Sequence, residues 1–318
     1  MNSLITCCGR KLYLIDEIHS VMKYIFPNEK HNVIVTESYE YSPSLYYADK
    51  GFIVPPITDK NYINDIIKIC DQEKILFILP TKDTELIKFA GNLNLFKGIK
   101  LLLSSLETIV VCEDKLNFYE ELKKDFNLPK TFIGTLSKKI KIKWPVIIKE
   151  RGKGIETSGY NVCRNQEELN YTIKSYKYPI VQEYIEGQEY TVDCIFNADN
   201  SPICIVPRKR LKIRQYVSDV GLVDRDDELI NLTKKLGKRL KLTGPANIQW
   251  IKNSDNIPFL IEVNPRISGG LQISLAACPD FIKALIQVAF NMSTNELEFY
   301  DDIVVMKYDS VVSKKINE

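Results

Sequence analysis

The first hundred residues alternate short apolar runs with helix-like segments, and this pattern restricts the fold more than any other feature. The apolar runs are SLITCC, NVIVTE, ILFILP and GIKLLLSS, and the first helix begins at about Leu12. Buried runs of this length separated by helices are typical of βαβ units in a parallel sheet. A dinucleotide-binding domain would carry G-x-G-x-x-G after its first strand, whereas TCCGRK has one glycine. We therefore predict a Rossmann-like scaffold without a dinucleotide.

Length and composition exclude several classes of protein. The chain has 318 residues, of which 45% are apolar and 26% charged, which predicts two or three packed lobes with a cleft between them. A formal charge of +2 gives no reason to expect nucleic acid or a membrane surface as a partner. No apolar run approaches the roughly 18 residues that span a bilayer, and charge appears within the first ten residues, so we expect a cytoplasmic protein.

Cysteine and histidine are poor candidates for chemistry in this chain. The eight cysteines form no C-x-x-C pair, and we expect most of them to be small core residues. The two histidines, His19 and His31, both lie early in polar surroundings. This distribution argues against a Cys/His or Ser/His catalytic pair and against a histidine-rich metal site.

The rest of the chain predicts strands and hairpins. A helix at about Asp114 to Asp125 is followed by a strand, a glycine-rich loop and a second strand. Two long hairpins turn on NADNSP and NSDN, tips that are rich in turn-forming residues. Helices are expected near 227–240, between the hairpins, and at about 270–291, after them. We find no internal repeat.

A glycine-rich loop follows Lys149 in IIKERGKGIETSGY. Glycines such as Gly152, Gly154 and Gly159 let backbone N–H groups approach phosphate oxygens, and Lys149 would hold the charge of a triphosphate. The loop is not a Walker A motif, because no G-K-[ST] opens a helix. A simple hairpin turn explains this stretch equally well when it is taken alone.

Acidic residues crowd the stretch VQEYIEGQEY. The strand leading into Glu183 and Ile185 could present edge backbone groups to a purine ring, with a carboxylate such as Glu189 on ribose hydroxyls. Taken alone, the stretch is more often only the acidic end of a strand.

Polar side chains alternate in FLIEVNPR, where a strand would set Glu262, Asn264 and Arg266 on one face. If the NSDN turn closes a hairpin, Gln249 lies near Glu262 on the adjacent strand, with Asn264 one pleat further on. Oxygen donors of this kind suit Mg²⁺. Without a metal, buried Glu and Gln would need a basic partner, and Arg266 is the candidate.

The order of these pieces resembles the ATP-grasp superfamily, and in particular short proteins related to one half of the carbamoyl-phosphate synthase large subunit. The specific signal is EVNPR with a glutamine upstream, and the resemblance covers nearly the whole chain. It implies an α/β fold that is α+β in its ATP-grasp part. It places a Rossmann-like preATP-grasp domain at 1–112, a small subdomain with the glycine-rich lid at 113–186, and a large subdomain with the metal site at 187–318.

The resemblance also implies a role for each nucleotide-site residue. Lys115 would reach the α-phosphate, and Lys149 would bridge the α- and β-phosphates. Glu183 and Ile185 would hold the adenine edge, with Glu189 on the ribose. The lid over the phosphates would contain Gly152, Gly154, Ser158 and Gly159.

Metal and catalytic roles follow from the same resemblance. Gln249 and Glu262 would bind one Mg²⁺ (or Mn²⁺), and Glu262 and Asn264 a second. Arg266 would steady the γ-phosphate and the acyl phosphate formed from it.

The motif PRKRLKIR, read from the residues alone, places Arg208 and Arg210 on one strand face. Arg210 is our candidate for binding a phosphate or a substrate carboxylate, with Arg214 as its companion. A solvated basic strand edge is the alternative.

These roles predict an ATP-dependent ligase that joins a small-molecule carboxylate to an amine or thiol through an acyl phosphate. Substrate recognition would also use the first lobe, around Arg10 or YSPSLYYAD. Gly269-Gly270 stands where the full synthase has an arginine soon after N-P-R, which predicts a roomier acceptor site and argues against carbamoyl phosphate synthesis. The alternatives are a carboxylating or phosphoryl-transferring member of the superfamily and a non-catalytic nucleotide-binding module. The identities of the substrates and the oligomeric state stay open, a homodimer being one option.

Overall fold

A computed structural model describes residues 1–135, 142–152 and 159–315. Three sheets organise these residues, and together with the helices that cover them they position the candidate site. The first sheet is parallel and the other two are antiparallel.

The first sheet has the parallel βαβ construction that its apolar runs predict. Its strands lie in the order β3-β2-β1-β4-β5. They are β1 (Asn2–Thr6), β2 (Asn32–Glu37), β3 (Lys50–Ile53), β4 (Ile75–Pro80) and β5 (Lys100–Leu101). The helices of this region are α1 (Tyr13–Ile25), α2 (Ser44–Tyr47), α3 (Tyr62–Glu73), α4 (Asp83–Ala90) and α5 (Leu106–Glu113), with a 3-10 helix at Leu93–Leu95. Strand β5 is only two residues long, although the leucine-rich run GIKLLLSS predicts a longer strand.

A four-stranded antiparallel sheet of order β6-β9-β7-β8 follows. It contains β6 (Thr131–Ile133), β7 (Val146–Glu150), β8 (Tyr160–Cys163) and β9 (Pro179–Glu183). Helices α6 (Lys115–Leu122) and α7 (Gln166–Thr172) belong to this region, with a 3-10 helix at Ile173–Ser175. Asp114 and Asn165 begin the two helices as N-caps, because their side chains accept hydrogen bonds from first-turn amides.

The third sheet is antiparallel and has six strands in the order β14-β13-β10-β11-β12-β15. The strands are β10 (Gln188–Phe196), β11 (Pro202–Arg214), β12 (Val217–Val223), β13 (Gly244–Lys252), β14 (Pro258–Asn264) and β15 (Ile303–Met306). The associated helices are α8 (Asp227–Leu240), α9 (Leu271–Ala277) and α10 (Phe281–Ala289). Both long hairpins predicted from the sequence are present as β10–β11 and β13–β14.

One apolar core crosses from the first sheet to the third. Leu14 and Ile18 of α1 belong to the same buried cluster as Val206 of β11 and Leu285 of α10. A separate cluster packs α6 and α8 against the other face of the six-stranded sheet. The shared core fixes the edge of the parallel sheet close to the strands that carry the candidate metal ligands.

Cysteine placement agrees with the sequence prediction that most cysteines are core residues. Seven of the eight cysteines are buried, Cys7 is half-buried, and all eight are free thiols. In the described part of the chain, no single helix is long and apolar enough to span a membrane. The bent pair α9 and α10 meets the length and composition test when taken together, and both helices lie in the core.

The division of the chain into 1–112, 113–186 and 187–318 stays a prediction. The three sheets fall in separate stretches of the chain, at 2–101, 131–183 and 188–306.

Candidate active site

The centre of the site is the β13–β14 hairpin. Gln249 lies directly opposite Glu262 in the antiparallel register, as the sequence predicts. One pleat further on, the Nδ2 atom of Asn264 donates a hydrogen bond of 2.9 Å to Glu262 Oε1. Asn264 is buried, whereas Gln249 and Glu262 are half-buried. Two carboxamides and one carboxylate therefore gather where two neighbouring strands face the cleft.

A β-bulge beside Glu262 interrupts the alternation of β14. The register shifts between Gln249 and Trp250, because Trp250 pairs with Leu260 while Gln249 pairs with Glu262, so Ile261 is the additional residue. The bulge lets Leu260 and Val263, three positions apart, both enter the same buried cluster. A regular strand would have placed them on opposite faces.

Arg266 is not on the strand face that the sequence predicts for it. Strand β14 ends at Asn264, because Pro265 cannot donate to the ladder, and the chain bends there. The guanidinium of Arg266 forms an ion pair with Asp83, the first residue of α4, and its Nη1 donates to the carbonyl oxygen of Ile267 at 2.8 Å. The proposal that Arg266 is the basic partner of Glu262 is therefore wrong, since its carboxylate partner comes from the first lobe.

Asn247 supports the metal-site strand and is missing from the sequence-based set. It lies opposite Asn264 in the register, accepts a 3.3 Å hydrogen bond from Asn264 Nδ2, and donates to the carbonyl oxygen of Arg266 at 3.0 Å. The signal for it was present, since Asn247 and Gln249 alternate in ANIQW as Glu262 and Asn264 do in the partner strand.

Mg²⁺ fits this donor set chemically. Among the described residues, no three or more His, Cys, Asp or Glu side chains are arranged to hold a metal ion. Mg²⁺ nevertheless takes few protein ligands and completes its shell with water and phosphate oxygens, so one carboxylate and two carboxamides suffice. Asn264 presents its amide nitrogen to Glu262, and coordination would require the amide to rotate so that its oxygen faces the ion.

Lys115 and Lys149 both belong to the junction where α6 meets the end of β7. Lys115 is the first residue of α6, and its Nζ donates to the carbonyl oxygens of Glu150 at 3.1 Å and of Gly152 at 3.4 Å. Lys149 is the neighbour of Glu150 in β7 and is half-buried. The structure therefore places both predicted phosphate-binding lysines beside the start of the glycine-rich loop.

The ion pair between Asp114 and Arg151 holds this arrangement and was not predicted. Arg151 Nε donates to both oxygens of Asp114 at 2.8 Å, and the backbone N–H of Lys115 donates to the carbonyl oxygen of Arg151 at 3.0 Å. Burial raises the pKa of Asp114, but hydrogen bonds from Arg151 and from first-turn amides of α6 outweigh it, so the net pKa is lowered. Asp114 therefore stays ionised and fixes the N-terminus of α6 to β7.

The hinge between the two antiparallel sheets contains the predicted adenine residues. Glu183 ends β9, and its Oε2 accepts a hydrogen bond from the backbone N–H of Lys130 at 3.2 Å. Ile185 is half-buried and lies in the connection from β9 to β10. Gly187 follows, and a Cβ atom there would collide with the carbonyl group of Lys252. Only glycine allows the chain to pass so close to β13.

Arg210 lies on β11, and its approach to the cleft stays a prediction. Arg208 and Arg210 share a face, since both donate to Ser218 Oγ, at 2.9 and 3.2 Å. The Nη1 atom of Arg210 donates to Glu189 Oε2 at 2.9 Å, which joins the candidate catalytic arginine to the candidate ribose carboxylate. Burial lowers the pKa of Arg210, and the charge of Glu189 opposes that effect.

Arg208 is fully buried and fills the space that Gly270 leaves. Its Nη2 donates to Ser268 Oγ at 3.2 Å, and a Cβ atom on Gly270 would lie 2.9 Å from Nη2. Gly269 is likewise covered by Val217. The expectation of a roomier acceptor site at Gly269-Gly270 is therefore wrong, because side chains of β11 and β12 occupy that room.

Two predicted loop residues, Gly154 and Ser158, lie outside the described residues. Gly159 is described, with a φ of 126°, and a Cβ atom there would collide with the Tyr216 hydroxyl at the tip of the β11–β12 hairpin. A glycine is required at this position on both grounds.

Two cavities differ in their distance from these elements. The one at the N-terminus of α6 has a volume of about 330 Å³ and includes Asp114, Arg151 and Gly152 in its lining. Another of about 600 Å³ lies between β5 and the end of α10, away from Glu262. The larger cavity therefore contains none of the candidate site residues.

Sequence families support the same assignment. Residues 176–311 match a family described as ATP-grasp in the biosynthetic pathway with Ter operon, and residues 3–102 match a PylC-like N-terminal domain. These two matches identify an ATP-grasp domain in the second half of the chain and a PylC-like N-terminal domain in its first third. The resemblance stated from the EVNPR motif is thus confirmed, and so is the fold class.

Curated relatives of the chain include carbamoyl phosphate synthase large chains. That of Clostridium acetobutylicum is 24% identical over 332 residues, which cover 93% of this chain and 28% of the relative. The chain thus spans little more than a quarter of the length of the relative that it matches.

Solved structures share the ATP-grasp fold at low identity. The biotin carboxylase domain of 2-oxoglutarate carboxylase from Hydrogenobacter thermophilus, solved with MgADP, ADP and bicarbonate, is 17% identical with a TM-score of 0.73. The match covers 93% of this chain and 71% of that one. The L-amino acid ligase from Bacillus licheniformis is also 17% identical, with a TM-score of 0.70 and coverage of 91% and 73%.

Proposed function

We propose that the chain is an ATP-dependent ligase that joins a small-molecule carboxylate to an amine through an acyl phosphate and releases ADP and phosphate. The observation that carries the proposal is the pairing of Gln249 with Glu262 on adjacent strands, with Asn264 in contact with Glu262. A protein that only bound nucleotide would have little need for such a group of metal ligands. The cytoplasmic location stays a prediction.

Nucleotide binding would use the two lysines and the hinge. Lys115 and Lys149 lie beside the glycine-rich loop and would hold the α- and β-phosphates by charge and hydrogen bonds. Backbone groups at Glu183 and Ile185 would receive the adenine edge. Glu189 would accept the ribose hydroxyls while Arg210 keeps it in place.

Metal binding would use the β13–β14 hairpin. Gln249 and Glu262 would hold one Mg²⁺, and Glu262 and Asn264 a second. When bound, Mg²⁺ neutralises charge on the transferring phosphoryl group, so that a carboxylate can attack it in line. Asn247 would keep the side chain of Asn264 in place beside Glu262.

The arginines of the site would act on the γ-phosphate and the acyl phosphate. Arg266 lies two residues beyond Asn264, in the segment that leaves the metal-site strand. Its guanidinium forms an ion pair with Asp83. Arg210 is desolvated and points to the same side of β11 as Arg208, where its fork suits a phosphate or carboxylate. Catalysis would then consist of positioning and charge stabilisation, with no covalent nucleophile from the protein.

The test is Mg²⁺-dependent release of ADP and phosphate from ATP across pools of amino acids and small carboxylates. We expect one pool to stimulate release and Glu262→Gln to reduce it at least about 100-fold, since loss of even an outer-shell metal partner costs up to that much. Glu120→Gln, which removes an exposed carboxylate from α6, is the matched control and should leave turnover unchanged.

Other outcomes identify the alternatives. Release of AMP and pyrophosphate would exclude an acyl phosphate. Tight ATP binding without turnover in any pool would favour a non-catalytic nucleotide-binding module. Because the biotin carboxylase domain has a fold as similar as that of the amino acid ligase, bicarbonate is included as a separate pool. Stimulation by bicarbonate alone would favour the carboxylating alternative.

A further inference from the structure

The segment that follows β15 runs from the six-stranded sheet to the first lobe. The backbone N–H of Lys307 donates to the carbonyl oxygen of Asp219 at 2.9 Å, which continues the pairing of β15 with β12. Further along, the ammonium group of Lys314 lies 4.8 Å from the centre of the Tyr46 ring. The segment therefore crosses the cleft between the lobes on the side where YSPSLYYAD was expected to recognise substrate.

Two arginines from different lobes meet at one carboxylate of this segment. Arg214, at the end of β11, forms a fork with Asp309, its Nη1 and Nη2 donating at 2.6 and 3.0 Å. Arg10, in the loop after β1, donates to the same carboxylate at 2.9 Å. The sequence named both arginines as candidates for substrate recognition, and the structure brings them together.

Positive charge exceeds negative charge around Asp309. Besides Arg10 and Arg214, the ammonium group of Lys307 lies nearby and donates to the carbonyl oxygen of Gly269 at 3.4 Å. Burial lowers the pKa of Lys307, the charge of Asp219 raises it, and the charges of the surrounding arginines lower it further. Without Asp309, three cations would face Asp219, and that arrangement would attract an anion.

The ion pairs of Asp309 are too exposed to be explained by stability. The side chains of Arg10, Arg214 and Asp309 are 71%, 47% and 56% exposed, and exposed ion pairs contribute little to folding. A planar guanidinium fork nevertheless selects carboxylate and phosphate geometry. An anion from solution could therefore replace Asp309 at small cost, because it would take over the two arginines while the Asp309 carboxylate returned to water.

We propose that Arg10 and Arg214 form a binding site for an oxyanion, a carboxylate or phosphate group of the acceptor substrate, and that Asp309 occupies this site as an internal competitor. The site is joined to the segment that carries Arg266, because Lys307, two residues before Asp309, donates to the carbonyl oxygen of Gly269, three residues beyond Arg266. The identity of the ligand as a substrate group rests on the proposed ligase function, whereas the existence of the anion site does not.

Asp309→Asn tests the competition, because it removes the charge and keeps the shape. Titration calorimetry at low ionic strength, with inorganic phosphate in one arm and succinate in the other, measures binding to the full chain without ATP. We expect the variant to bind one of the two anions about tenfold more tightly than the unchanged protein, since the site is no longer occupied from within. Adding Arg214→Gln to this variant should remove the gain.

Glu298→Gln is the matched control, because it takes an exposed carboxylate away from Arg225 at a comparable ion pair. Equal affinity in Asp309→Asn and the unchanged protein would overturn the proposal. The same gain in Glu298→Gln, or a gain that survives Arg214→Gln, would overturn it as well. Phosphate that binds at the nucleotide lysines contributes equally to all variants, so it does not affect the comparison.

The two proposals can fail separately. If no pool supports turnover but Asp309→Asn gains affinity, the anion site stands and the ligase function falls. If turnover is found and the gain is absent, the ligase function stands and Asp309 is only a surface ion pair.

Discussion

Arg208→Met is expected to destabilise the six-stranded sheet strongly. Arg208 and Asp193 are 2% and 1% exposed, and Nε of Arg208 donates to Asp193 Oδ2 at 2.9 Å. The substitution keeps most of the apolar volume but leaves the Asp193 carboxylate buried without its cation. Removing one partner of a buried pair costs about 3–5 kcal/mol.

The second substitution shows where that cost comes from. In Arg208→Met/Asp193→Asn the buried charge is gone, and Ser274, whose hydroxyl donates to Asp193 Oδ2 at 2.6 Å, can still bond the amide oxygen. We expect the double variant to lose less than the sum of the single variants, with a coupling of about 0.5–3 kcal/mol. Lys209, on the same strand, forms a partly exposed ion pair with Asp224, which follows β12. Lys209→Met is therefore the matched control, with an expected loss of stability of about 0–1 kcal/mol.

Urea unfolding followed by tryptophan fluorescence measures these changes. The chain has two tryptophans, and Trp250 is buried in β13 of the affected sheet, so a Trp144→Phe background makes the signal specific for that sheet. The reasoning fails if Arg208→Met costs no more than Lys209→Met, or if the two single losses simply add in the double variant.

Two further substitutions test the hinge and the acid response. Gly187→Ala should lower stability by about 1–3 kcal/mol in urea unfolding, because its methyl group meets the Lys252 carbonyl. Gly98→Asn, in open space but at a φ of 82°, which asparagine tolerates better than other residues, should cost less. For His31, burial and then the charge of His19 lower the pKa to about 4. The unfolded state, with a pKa of about 6.5, binds that proton first, so stability is present above pH 6.5 and falls towards pH 4. His31→Asn should flatten this fall, and an unchanged slope would contradict the assignment.

Periodicity and turn chemistry predicted most of the fold. Alternation of apolar runs with helices identified the parallel sheet, and the NADNSP and NSDN tips identified both long hairpins. Strand β12 and the shortness of β5 were not predicted, because DVGLV and GIKLLLSS carry no pattern that distinguishes a paired strand from a buried connection. The helix α5 was not predicted either.

The site was predictable where residues are close in sequence or joined by a hairpin. Gln249 and Glu262 are 13 positions apart on strands that one turn connects, so their pairing follows from the register. Asp83 and Arg266 are 183 positions apart, and only the packing of the first lobe against the third sheet brings them together. Local patterns do not contain that information, which is why Arg266 was given the wrong carboxylate.

We propose that Arg266 holds the γ-phosphate, and its contact with Asp83 would then link nucleotide binding to the interface between the lobes. If the guanidinium turned from Asp83 to a γ-phosphate, the ion pair between Arg266 and Asp83 would be broken. ATP binding would then weaken one contact between the lobes. Linkage is reciprocal, so any ligand that tightens the interface through Asp83 should weaken ATP binding by the same factor. An acceptor substrate seated between the lobes could then control the affinity for ATP without touching the nucleotide.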